Sequence, residues 1–175
     1  YGHFGYAAAA LTRYIYETDQ TDQSVIPVFE QRIAAATRKA KAWLEKNPRD
    51  ADVLMVAGAC YGIASRMQAT RHQWIKAYFS GRKAMSYTRA SLKYDPQLFD
   101  SYLGLGMYDY YTDAYPRVIG VLAKIMLRGN RQRGISELKI AAEKGRYGRV
   151  AAKLILVEIY TEDKFGTKSP QEAVR

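Results

Sequence analysis

One phrase occurs twice in this chain, and it constrains the fold more than any other feature. Lys93-Tyr94-Asp95-Pro96 runs into Leu98-Phe99-Asp100-Ser101-Tyr102-Leu103-Gly104-Leu105-Gly106-Met107-Tyr108-Asp109-Tyr110-Tyr111. This reads as one helix ending, a proline-marked turn, and a second helix with a small residue where its neighbour must pass close by. Forty-eight residues earlier, Leu44-Glu45-Lys46-Asn47-Pro48 leads into Ala51-Asp52-Val53-Leu54-Met55-Val56-Ala57-Gly58-Ala59-Cys60-Tyr61. Self-similarity at a fixed spacing of this kind predicts an array of helical repeats.

The helices follow from apolar residues recurring at three- and four-residue steps. Residues 1 to 5 read as irregular, Tyr6 to about Glu17 as an alanine-rich helix, and Thr18 to Ser24 as a turn. Val25 to Lys46 forms a helix with Pro27 in its first turn, closed by Asn47-Pro48. Helices follow over Ala51 to Thr70, His72 to Lys93, Gln97 to Asp113, Val118 to Leu127, Gln132 to Lys144 and Gly148 to Asp163, with Tyr115-Pro116 and Gly129-Asn130 as breaks. Nothing alternates with period two over a useful length, so the chain is expected to be all-α.

At 175 residues and 48% hydrophobic, it can bury a core without metal or disulfide. It is read as residues 1–24, an N-terminal helix and linker, followed by one continuous repeat domain over 25–175. The units are placed at about 51–96 and 97–146, with partial units at both ends. It begins at Tyr1 and ends on Ser169-Pro170-Gln171-Glu172-Ala173-Val174-Arg175, which reads as a cap and the opening of another helix. We therefore read it as a fragment of a longer chain.

No run reaches the roughly 20 apolar residues that a membrane-spanning helix requires. The compartment stays open between cytoplasm and cell envelope, and one cysteine, Cys60, does not decide it. The net charge of +10 favours anionic partners in general. Two stretches, Asp52 to Asp95 and Asp113 to Glu137, hold no acidic residue between their ends. The bland reading is a set of solvated basic helix faces; the sharper one is contact with a membrane surface through the apolar Val118 to Leu127 segment.

Set out as helix pairs, these residues resemble the tetratricopeptide repeat family. Gly58 and Tyr61 hold the small and aromatic places of one unit, followed by Ala84 and Pro96; Tyr102, Leu105 and Gly106 hold the large, leucine and small places of the next, followed by Gly134, Leu138 and Ala141. The distances from Gly58 to Ala84 and from Gly106 to Gly134 exceed the family's usual spacing, so the pattern is similar to its long-helix members, found in bacteria and in a eukaryotic outer-membrane-associated group. Asp109 stands where an aromatic is expected, and no proline follows Ala141. The resemblance covers about Val25 to Asp163. It implies a superhelix of stacked antiparallel helix pairs with extended helices, whose concave groove binds a peptide or partner protein.

In such a stack the groove residues would be Asp52, Met55, Ala59, Asp100, Leu103, Met107, Tyr110, Tyr111 and Glu158. Tyrosine offers large contact area at low entropic cost. The lysine and asparagine set that clamps a C-terminal carboxylate in some family members is missing, Leu103 and Met107 standing in such places. No catalytic, cofactor-binding or metal residue is assigned. His3 and His72 are the only histidines, Cys60 reads as a packed inert thiol, and Asp109 and Asp113, four apart, read as partners for cations on a neighbouring helix. The leading expectation is a non-enzymatic scaffold for protein binding. The alternative is peripheral association with an anionic membrane or, less favoured, with nucleic acid. Partner identity and oligomeric state are not legible.

Overall fold

In a computed structural model, residues 2–114 and 129–161 are described. All regular structure among them is helical, with no strand. The expected helix Val118 to Leu127, Arg117 and the Ser169 to Arg175 opening lie outside the described residues. The chain divides into two compact units, Tyr1–Pro96 and Gln97–Arg175, at the junction where the sequence places the end of one repeat.

The first unit holds α1 (Gly2–Thr12), a π-helical turn (Arg13–Glu17), α2 (Val25–Lys46), α3 (Ala51–Thr70) and α4 (Trp74–Tyr94). The helix begins at Gly2, so the irregular start expected for residues 1 to 5 is corrected. Alanine-rich sequence carries helical propensity almost to the chain's start. The first helix also loosens into π geometry before it stops, with the Thr18 amide donating to the Arg13 carbonyl at 3.1 Å. Asp19 and Gln20 then take positive φ of 45° and 63° and end it. The bounds of α2 and α3 fall where their sequence signals place them. Val25, Ile26, Phe29, Ile33, Ala36 and Ala40 make the buried stripe of α2.

Asp50 joins α2 to α3. One of its carboxylate oxygens caps α3 by accepting the Val53 amide at 3.0 Å, and the other accepts the Trp43 indole N–H at 2.8 Å. The core of the unit gathers Leu11 and Tyr14, Phe29 and Ile33, and Cys60 and Met67 from the first three helices. Each large apolar side chain buried there contributes roughly 1.5–3 kcal/mol.

Antiparallel packing of α3 on α4 turns on Gly58. A methyl at that position would stand 2.5 Å from Thr88 Oγ1 and 3.2 Å from the Ala84 carbonyl oxygen. A methyl fits only if the Thr88 hydroxyl turns aside, and the bare glycine lets the backbones approach. One turn further along α3, at Gly62, the nearest atom would be the Ala84 methyl at 4.0 Å, an ordinary contact.

The second unit holds α5 (Ser101–Ala114), α6 (Arg131–Lys144) and α7 (Arg149–Thr161). Asn130 caps α6 by accepting the Arg133 amide at 2.8 Å. Here Gly106 occupies the crossing. A methyl on it would lie 2.7 Å from the Gly134 carbonyl oxygen and 2.8 Å from the Leu138 amide nitrogen, and one on Gly134 would lie 2.6 Å from the Tyr110 amide nitrogen. Gly58 against Ala84 and Gly106 against Gly134 thus do the same work in their two pairs. A core of Tyr110, Ile135, Leu138, Ile155, Ile159 and Tyr160 closes the unit.

Candidate interaction surfaces

The residues expected to line a groove on α5 are the first to be placed, and the structure moves several of them inward. Tyr110 is 1% exposed and lies in the core of its unit, its ring edge-on to Tyr111 at 5.3 Å and the Arg131 guanidinium 5.6 Å from its centre. Leu103, Met107 and Tyr111 are half-buried and pack against that core. The Tyr111 hydroxyl donates to Glu158 at 2.8 Å, so two of the expected groove residues bind one another across α5 and α7. The reason is geometric: α5 meets α6 along Gly106 and Tyr110, and its Leu103, Met107 and Tyr111 pack on the core that α6 and α7 share, Tyr111 reaching Glu158 of α7. It therefore has two covered flanks where the pattern suggested one.

Asp100 serves the backbone. Its carboxylate accepts the amides of Arg146, Tyr147 and Gly148 at 3.0, 2.8 and 2.6 Å, satisfying the tight connection that leads into α7. In the first unit Met55 is 8% exposed and buried, Ala59 is half-buried, and Asp52 is exposed in the first turn of α3. The expected set is thus split between the two units, and its largest aromatic is core.

The paired aspartates meet cations of the neighbouring helix. Asp109, buried on α5, accepts a hydrogen bond from the Arg133 side chain, which holds that guanidinium above its ordinary pKa. Asp113 pairs with Arg131 at 3.7 Å. The aspartate in the aromatic place is therefore an inter-helix tie. Burial pushes the Cys60 thiol up to about 11, a hydrogen bond with Thr37 opposing in part, so thiolate chemistry is suppressed at neutral pH. Among the described residues no three His, Cys, Asp or Glu side chains gather as metal ligands, and no helix is long and apolar enough to cross a membrane.

Exposed apolar surface is found elsewhere, on α7. Val150, Leu154 and Val157 are 68%, 58% and 41% exposed and stand at positions i, i+4 and i+7, one outward stripe. The opposite side buries Ala152, Ile155, Ile159 and Tyr160. The sequence held this signal. From Val150 to Tyr160 only Lys153 and Glu158 are charged and apolar residues fall on every side of the helix, which a helix covered on one face alone does not need. Tyr147, also exposed, stands at the head of the stripe beneath the Arg146 guanidinium.

The first unit offers a second surface, an open cleft of about 500 Å³. Its lining includes Ile33, Arg38, Lys41 and Glu45 from α2, Tyr61, Ala64 and Gln68 from α3, and Ser80 from α4. Tyr61 stacks on Tyr87 at 5.7 Å with ring planes within 6°, and the Lys83 ammonium lies 5.5 Å from the Tyr61 ring. Comparison with family models, with curated proteins and with solved structures finds no match to this chain.

Proposed function

We propose that this chain is a non-enzymatic scaffold for protein–protein interaction, a solenoid of helix pairs similar to tetratricopeptide repeats that engages a partner protein or peptide. The like placing of Gly58 and Gly106 in their pairs supports the repeat. The observation that carries the binding role is the two-faced α7. A helix whose inner side is packed keeps three large aliphatic side chains in water on its outer side. Water-exposed stripes of that kind are the usual seat of a partner's helix or loop, because each side chain covered on docking contributes its transfer free energy.

A double substitution, Leu154→Glu with Val157→Glu, tests this. Immobilised wild-type chain should capture a defined partner from an extract of the source cells, and the variant should lose it at unchanged melting temperature. Equal capture by both proteins would remove α7 from the account. The second reading, association with anionic membrane or nucleic acid, requires a steep fall of affinity with salt. It rests on the acid-free runs and on the apolar Val118 to Leu127 segment, which lies outside the described residues, and Arg82 within one of the runs already lies over the Tyr78 ring.

A further inference from the structure

We infer that the cleft between α2 and α4, floored by α3, is a docking site for a short acidic peptide segment of a partner protein. The inference concerns the first unit and does not depend on the α7 stripe. Three observations define the occupant.

The first is charge. Arg38 and Lys41 line one wall, and Lys83 stands over the Tyr61 ring on the floor. Among the described residues no salt bridge engages any of the three, and the one carboxylate in the lining is Glu45. A cluster with this excess of cations attracts carboxylates.

The second is length. The α2 wall runs from Ile33 to Glu45, about 18 Å of helix axis, which matches five to six residues of extended chain. The volume lies within the range of sites that enclose a few side chains. Ile33, Ala34, Ala42 and Ala64 give the cleft small apolar patches, while the Ser80 hydroxyl and the Gln68 amide offer partners for a peptide backbone.

The third observation separates a peptide from single-stranded nucleic acid. Tyr61, the tyrosine in the lining, gives one face to Tyr87 and has the Lys83 ammonium over its ring, so it is not an open platform for a base.

The test is fluorescence anisotropy of the whole chain with a fluorescein-labelled hexapeptide of alternating glutamate and valine. The wild-type chain should bind it. Arg38→Glu with Lys41→Glu should weaken binding at least tenfold, and Lys83→Glu alone by several-fold. Arg89→Glu with Lys93→Glu, the same charge change on the other side of α4, should leave affinity within twofold, as should Leu154→Glu with Val157→Glu. Equal loss from the two charge-reversed pairs would overturn the proposal, since net charge would then account for the attraction. So would no binding by wild type, or displacement of the peptide by a thymidine decanucleotide or by anionic phosphatidylserine vesicles at lower concentration than by unlabelled peptide. Retained peptide binding in the α7 variant separates this inference from the scaffold reading of α7, which fails or stands on partner capture alone.

Discussion

At the scale of single residues, the positions that look functional in the sequence are largely engaged in holding the chain together. Asp100 is the clearest case. Three successive amides converge on one carboxylate ahead of α7, so Asp100→Ala should cost about 1–2 kcal/mol in chemical denaturation. Asp100→Asn should cost less, because one carbonyl oxygen can still serve the Tyr147 and Gly148 amides. A silent alanine variant would show that water replaces the carboxylate without penalty. Cys60 makes a second prediction. Its thiol pKa rises from 9.0 to about 11 in the fold, so the neutral thiol's contribution to stability is fully present below pH 9.0 and is lost as pH climbs toward about 11. At about pH 8 a disulfide reagent should therefore label Cys60 slowly in the native protein and rapidly after unfolding. Rapid native labelling would contradict its burial.

At the scale of elements, the glycines decide how close the helices come. Gly106→Ala forces a methyl onto backbone atoms of α6 and should destabilise by about 2–3 kcal/mol or more. Gly58→Ala meets chiefly the Thr88 hydroxyl and should cost less, since that side chain can shift. Gly62→Ala, on the same helix as Gly58 but with room for the methyl, should stabilise by about 0.5–1 kcal/mol through helix propensity. Opposite signs at Gly58 and Gly62, read from denaturation midpoints, are the signature of the crossing; equal effects would leave propensity as the sole cause. These seats were legible because a glycine amid helix formers needs a packing reason, and Asn47-Pro48, Gly129-Asn130 and Gly145 marked helix ends in the same way. The burial of Tyr110 was not legible. Periodicity reports which residues are apolar, and α5 has two covered flanks, so a tyrosine that would serve an open groove equally well serves a core. Asp109 was misleading as a departure from the repeat pattern until Arg133 came into view on the facing helix.

At the scale of the whole molecule, the account assigns to the described helices a division of labour. Glycine crossings, helix caps and the Asp109 tie to Arg133 make the frame, and the outer stripe of α7 is the surface that the proposed function gives to a partner. The repeat phrase gave notice of the frame, while the run from Val150 to Tyr160 signalled apolar residues all round α7 and the coordinates were needed to say which of them face water. The measurement that bears most directly on this is the thermal unfolding of the intact chain carrying Val150→Ser, Leu154→Ser and Val157→Ser together. A stripe that serves a partner predicts a melting transition displaced by no more than surface substitutions cause, about 0.5 kcal/mol each, with partner capture lost. A loss of several kcal/mol with capture intact would place the three side chains inside the fold and contradict the account.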